Sequence, residues 1–254
     1  MAALLEVRDV TVRFGGLTAV DGVSFDLVAG EICALIGPNG AGKTTLFNAI
    51  AGNAVPTSGR IRFRDSEIQG LTPHEISARG VRRTFQNGGL FGHLSVLENI
   101  LVGLHAQIDS DFFGLLFGAR RSHRAEVDAT ARAKELLALM DIAHLADYPA
   151  DALSGGQQRM VEIVRALATN PPLLLLDEPA VGLAPAARAR LTEIIRRLAK
   201  DTGLGILLIE HAIELVMGVS DRVIVLNDGK KVADAAPAVV RADRAVLEAY
   251  LGHA

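Results

Sequence analysis

The sequence predicts an α/β fold built around an open sheet, and three observations predict it. The first is Gly37-Pro38-Asn39-Gly40-Ala41-Gly42-Lys43-Thr44, which fits the pattern G-x-x-x-x-G-K-[ST] and lies between an apolar run and a helical run. The second is a run of four leucines, residues 173–176, that ends in Asp177-Glu178. In open α/β sheets ligands sit beyond the carboxyl ends of strands, so acids placed there point to chemistry. The third is composition: 254 residues, 50% hydrophobic, 4% aromatic and free of low-complexity tracts, enough to bury a sizeable core.

Taken in order, residues 4–13 alternate in part and predict a strand. A Phe14-Gly15-Gly16 turn leads to a second strand over 17–27, with an interruption expected at Asp21-Gly22. Connections this short make these strands antiparallel. Residues 31–36 predict a buried strand and 45–51 a helix closed by Gly52. Residues 56–59 break the chain, and 60–64 form a short strand. A short helix over 73–79 has Pro near its start and Gly80 after its end. Residues 81–85 are a strand ending at Gln86, and 86–93 are a Gly-rich loop.

The helix over 95–104 takes Ser95 as N-cap and Glu98 at the capping-box position. Residues 122–140 put Ala129, Ala133, Leu136, Leu137 and Met140 on one face. The apolar segment 111–118 between these helices is too short to cross a bilayer; it packs on its own helical layer or docks a partner. Ser154-Gly155-Gly156-Gln157 precedes a helix with Met160, Ile163, Val164, Leu167 and Ala168 on one face. Residues 179–185 link to a helix over 186–201. A buried strand over 205–209 ends in Glu210-His211. A hairpin pairs 222–226 with 230–233 about Asn227-Asp228-Gly229, and a helix near 245–251 closes the chain.

The phosphate-loop spelling has a physical reason. Backbone N–H groups wrap a phosphate only where no side chain intrudes, and Gly supplies the φ freedom. Lys43 brings a point charge to the β/γ oxygens, and the Thr44 hydroxyl suits Mg²⁺. The helix beginning here aims its positive dipole end at the anion. The chain is therefore expected to bind a nucleoside triphosphate. Asp177 is placed to hold Mg²⁺ through its water shell, and Glu178 to orient or deprotonate a water. Other residues read two ways on their own. Phe14 is a turn aromatic on the core or a stacking surface for a purine. Gln86 is a polar strand-end residue or part of the site. His211 is a surface histidine or a γ-phosphate contact. Ser154 is a plain N-cap or, with Gly155 and Gly156, an anion-binding helix start serving a nucleotide held by another subunit.

The order of these parts resembles the ATPase subunit of ATP-binding-cassette (ABC) transporters over essentially the whole chain. The matching parts are the aromatic Phe14, the loop Gly37 to Thr44, Gln86, the signature Leu153-Ser154-Gly155-Gly156-Gln157, the acids Asp177 and Glu178, and His211. Phe14-Gly15-Gly16-Leu17-Thr18-Ala19-Val20, Arg83-Thr84-Phe85-Gln86-Asn87, Val96-Leu97-Glu98-Asn99-Ile100, Ile209-Glu210-His211 and Ala249-Tyr250-Leu251-Gly252 are similar to branched-chain amino acid importers. The insert after Gln107 and the Thr-Phe-Gln-Asn sequence look like the larger of their two ATPase subunits.

The resemblance implies a single cassette domain over 1–254. It has a RecA-like core with an antiparallel β-subdomain, over 1–94 and 154–254, and a helical subdomain over roughly 95–153. It implies ATP hydrolysis with Mg²⁺ as cofactor. Phe14 stacks on adenine; Gly37, Pro38, Asn39, Gly40, Ala41, Gly42, Lys43, Thr44 and Thr45 hold the phosphates. Thr44, Gln86 and Asp177 serve Mg²⁺, Glu178 activates water, and His211 holds the γ-phosphate. Ser154, Gly155, Gly156 and Gln157 act in trans on the site of a second cassette. The implied partners are that second ATPase subunit, two membrane permeases and, indirectly, a solute-binding protein. The implied place is the cytoplasmic face of the membrane, peripherally bound.

Two positions depart from the family pattern. Ala184 and Ala212 stand where similar proteins usually carry Asn or Asp, and often Asp, respectively. Urea or amide importers and lipopolysaccharide-export ATPases are near neighbours. A non-transport cassette usually pairs two cassettes in one chain or inserts a long coiled coil, and this chain has neither. A regulatory GTPase would need an Asn-Lys-x-Asp guanine reader, which is missing. The net charge of −3 argues against a nucleic-acid partner. Cys33, the one cysteine, cannot make an internal disulfide. The start of the chain lacks a basic n-region, so no signal peptide is expected. No run reaches the roughly 18 apolar residues of a membrane span.

Overall fold

Strands β1 (Ala3–Phe14) and β2 (Leu17–Val28) pair antiparallel about the Phe14↔Leu17 turn, as the short connection requires. The computed structural model describes residues 2–84, 89–105, 119–243 and 246, with side chains left out at 105 and 119–126. The interruption expected at Asp21-Gly22 is instead a bulge within a continuous strand. Between the pairs Val10↔Val23 and Val12↔Val20, β2 uses one residue more than β1, and Gly22 takes φ 62°. Strand β3 (Ile32–Ile36) is buried at every residue and leads to α1 (Lys43–Ile50). Strand β4 (Ser58–Phe63) begins inside the stretch expected to break the chain, because β1 offers it a partner as far as Thr11↔Ser58. Strand β5 (Ser66–Glu67) completes an antiparallel sheet in the order β2-β1-β4-β5. Helix α2 (Pro73–Ala78) starts with Thr72 and Glu75 in a capping box, and β6 (Val81–Arg83) follows.

The chain forms two compact units. The first comprises Met1–Arg83, Pro172–Pro179 and Ile195–Ala254, and the second Thr84–Pro171 and Ala180–Ile194. The first holds a six-stranded sheet in the order β10-β9-β3-β8-β7-β6. Its remaining strands are β7 (Leu173–Asp177), β8 (Gly205–Ile209), β9 (Arg222–Asn227) and β10 (Lys230–Ala235). From β9 through β6 all neighbours are parallel; β10 returns antiparallel through a turn with φ 46° at Asp228 and 76° at Gly229. Leu46, Phe47 and Ile50 of α1 pack with Leu5, Val7, Phe25 and Leu27 of the antiparallel sheet and with Leu175 and Leu207 of the parallel one. A Cβ at Gly205 would meet Leu4 at 2.5 Å and Leu27 at 2.7 Å, so that glycine permits the close approach.

Two short helices of this unit escape the sequence patterns: α7 (Ile213–Val219) and α8 (Pro237–Ala242). Helix α6 (Pro185–Thr202) begins one residue earlier than expected, with Pro185 in the first turn, where a missing N–H is harmless.

In the second unit, Ser95 caps α3 (Val96–His105). Its backbone N–H and hydroxyl donate to Glu98, and its Oγ accepts from the Glu98 N–H. Asn99 is fully buried and donates to the carbonyls of Phe91, Leu94 and Ser95 while accepting from the Phe91 N–H at 2.8 Å. Helix α4 (Ala119–Leu139) buries Ala133, Leu136 and Leu137. Helix α5 (Gly155–Ala168) buries all five residues of its expected apolar face. The segment 111–118 and most of 245–251 lie outside the described residues.

Candidate active site

Four neighbouring parallel strands, β3, β8, β7 and β6, each bring one candidate element to their carboxyl ends. The phosphate loop follows β3, Glu210-His211 follow β8, Asp177-Glu178 end β7, and Arg83 ends β6. The loop needs its glycines. Gly37 (φ 149°) and Gly42 (φ 95°) lie in the left-handed region, and a Cβ on either would collide with the carbonyl oxygen of Leu226 or of Ala19. Gly42 caps α1 with no side-chain bond, and the first turn carries no acid. The N–H groups at this helix start are therefore not taken by a capping side chain, the arrangement that binds anions.

Lys43 is buried, and its ammonium donates to the carbonyls of Gly37 at 2.7 Å and Pro38 at 2.8 Å. Burial lowers its pKa below the usual lysine value, and the Glu178 charge opposes that shift. A cleft of about 350 Å³ is lined by Phe14, Leu17, Ala19, Asn39 through Thr45, Glu178 and His211. The structure thus brings together the loop, the aromatic, the second acid and the histidine. Phe14 is 55% exposed and Leu17 66%. Phe14 offers an aromatic stacking face, and Leu17, which was not singled out from sequence, adds an aliphatic wall to the same cleft.

Asp177 and Glu178 part company. Glu178 takes φ 51°, an uncommon conformation for a residue with a side chain, and its N–H donates to the Ile209 carbonyl at 2.9 Å. Its Oε1 lies 3.0 Å from His211 Nε2. Asp177 is 1% exposed, and its Oδ2 accepts from Arg83 Nη2 at 2.8 Å. Arg83 was noted in sequence only as part of a family fingerprint. Glu210, also buried, accepts from the backbone N–H of His211 at 3.1 Å and so fixes where the histidine leaves β8. No motif signals that role.

In the second unit, Ser154 caps α5, with Gln157 reaching back to its N–H at 2.9 Å. Gly155 faces open space, whereas a Cβ on Gly156 would press on the Gly182 carbonyl at 3.0 Å. Gln86 lies outside the described residues. Among the described residues no group of three or more His, Cys, Asp or Glu side chains converges on a metal. The hard oxygens of Thr44 and Asp177 suit Mg²⁺, which is held by few protein ligands together with substrate phosphates.

Residues 20–181 match the family model for the ABC transporter, and residues 230–254 match that for the branched-chain amino acid ATP-binding cassette transporter. The high-affinity branched-chain amino acid transport ATP-binding protein BraF of Pseudomonas aeruginosa is 43% identical over 251 residues, spanning 99% of this chain and 98% of the relative. LivG of Escherichia coli K12, with the same description, shows the same identity and coverage. The lipopolysaccharide export system ATP-binding protein LptB of E. coli K12 is 35% identical, spanning 98% of each chain. Among solved structures, the ADP conformation of an ATP-binding cassette of an ABC transporter superposes with a TM-score of 0.84 at 32% identity, over 99% of this chain and 100% of that one. A dimeric bacterial ABC transporter cassette superposes with a TM-score of 0.78 at 26% identity, over 92% and 98%.

Proposed function

The chain belongs to the ABC transporter family, among its branched-chain amino acid ATP-binding cassettes, and on that premise we propose that it hydrolyses ATP to drive branched-chain amino acid uptake through partner permeases. The observation that carries the catalytic part is the Glu178–His211 contact of 3.0 Å at a cleft shared with the phosphate loop and Phe14.

Phe14 stacks on adenine. The loop N–H groups and Lys43 hold the phosphates; the ammonium leaves the Gly37 and Pro38 carbonyls for phosphate oxygens. Thr44 and Gln86, with Asp177 acting through water, would hold Mg²⁺, which would neutralise charge on the phosphate oxygens. Glu178 accepts a proton from, or orients, the attacking water, and His211 fixes the Glu178 carboxylate and reaches the γ-phosphate.

Ser154, Gly155, Gly156 and Gln157 complete the site of a second cassette. The dimeric relative supports that reading, as does the absence of acids from the first turn of α5. No helix among the described residues is long and apolar enough to cross a membrane. In this reading two permease subunits hold the cassette at the cytoplasmic face, and a solute-binding protein delivers the amino acid. The amino acid reading is supported over lipopolysaccharide export by 43% identity against 35%, and more generally by the match at residues 230–254.

The test is Glu178→Gln. ATP binding is expected to persist while turnover falls by roughly 10²–10⁴, the usual share of general acid–base catalysis. Near-normal hydrolysis would remove Glu178 from the role.

A further inference from the structure

We propose that Arg83 is a positioning residue that ties the metal-binding carboxylate of Asp177 to the phosphate-loop helix. The inference rests on the reading above, in which Asp177 and Thr44 serve Mg²⁺.

The geometry is a bridge. Arg83 is the last residue of β6, the strand beside β7, with Arg83 opposite Leu175 in the parallel register. From there its side chain reaches two residues further along β7. One terminal nitrogen, Nη2, donates to Asp177 Oδ2 at 2.8 Å; the other, Nη1, donates to Asn48 Oδ1 at 2.6 Å. Asn48 lies on α1 one helical turn after Thr44. The guanidinium also stands over the Phe47 ring at 5.7 Å. A single planar group therefore spans the elements that carry Asp177 and Thr44, two of the three proposed magnesium ligands.

Burial makes the arrangement consequential. The side chains of Arg83 and Asp177 are 12% and 1% exposed, so the pair is largely desolvated. Among the described residues Arg83 Nε is buried without a hydrogen-bond partner, a cost an apolar packing residue would avoid. The position is explained by what the two terminal nitrogens hold. Lysine would keep the charge but not the fork, so the two properties can be separated.

The experiment titrates Mg²⁺ against binding of a fluorescent ATP analogue to Arg83→Lys, Arg83→Met, Asn48→Ala and Asp177→Asn, with analogue binding in EDTA and thermal melting as controls. Removing an outer-shell partner of a metal site typically costs 10–100-fold in metal affinity. Both Arg83 variants are expected to need about 10–100-fold more Mg²⁺ for half-saturation, with unchanged affinity in EDTA. Asn48→Ala, which keeps the Arg83–Asp177 contact, is expected to shift in the same direction by less. If Asp177→Asn raises the Mg²⁺ requirement while both Arg83 variants stay within twofold of wild type, the inference is overturned and the Asp177 reading stands. A wild-type requirement in Arg83→Lys alone also overturns it, because charge rather than the fork would then suffice. If Asp177→Asn itself is indifferent to Mg²⁺, the underlying reading falls, and the inference with it.

Discussion

Nε2 of His211 lies 3.0 Å from Oε1 of Glu178, joining residues that stand 33 apart in sequence on the adjacent strand ends of β8 and β7. Two local features set the pair: the Glu210 carboxylate accepts from the His211 N–H, and the positive φ of Glu178 departs from the extended conformation of the strand before it. A carboxylate can only accept, so an ionised Glu178 requires the proton on Nε2.

This pair is expected to act as one device. His211→Ala should lower turnover by about 10² or more, because the base loses its orienting partner. Adding His211→Ala to Glu178→Gln should slow turnover only a few-fold further, since residues acting as a unit are non-additive. Steady-state ATPase assays of the two single variants and the double variant decide it. Losses that multiply would show that the contact does not couple the two roles.

The phosphate loop has a sharper steric prediction. Gly42→Ala places a Cβ on the Ala19 carbonyl and forces φ 95° on a residue with a side chain. It should abolish detectable ATP binding, as should loss of the cation in Lys43→Ala. Gly40 also has positive φ (82°), but an added Cβ there meets nothing within 4 Å. Gly40→Ala should therefore keep measurable affinity in the same nucleotide titration. Equal binding by the Gly42 and Gly40 variants would contradict the cradle geometry.

Ala212 and Ala184, the two departures from the family pattern, both sit at helix starts. Ala212 is the N-cap of α7, where no side chain bonds the first turn, and its carbonyl accepts from the Val216 N–H at 3.1 Å. The Ala184 carbonyl accepts from the Arg188 N–H at 3.0 Å at the start of α6. Restoring an acceptor by Ala212→Asp should add about 0.5–2 kcal/mol of stability, the range for an N-cap exchange. Chemical denaturation of the two proteins measures it; a destabilised variant would mean that Glu210 beside it repels the new charge.

Much of this was legible because the signals are local. A Gly-rich loop between an apolar run and a helical run, a leucine strand ending in acids, and a two-residue turn at Asp228-Gly229 each need only neighbouring residues. The capping box at Ser95 and Glu98 does too. Arg83 was not legible as a bridge, because its partners come from the register of β6 on β7 and from the facing helix. Helices α7 and α8 were missed because both are short and neither Ala212 nor Ala236 offers a capping side chain, although Pro237 marks the start of α8. The bulge at Gly22 read as a break because glycine marks both.

If each cleft is half of a hydrolytic site, completed by the Ser154 helix start of a second cassette, then turnover needs two chains. The most direct test measures initial ATPase rate against chain concentration, with sedimentation run on the same samples. The rate should rise faster than in proportion to concentration, following the dimer. A rate strictly proportional to concentration, where only monomer sediments, would contradict it.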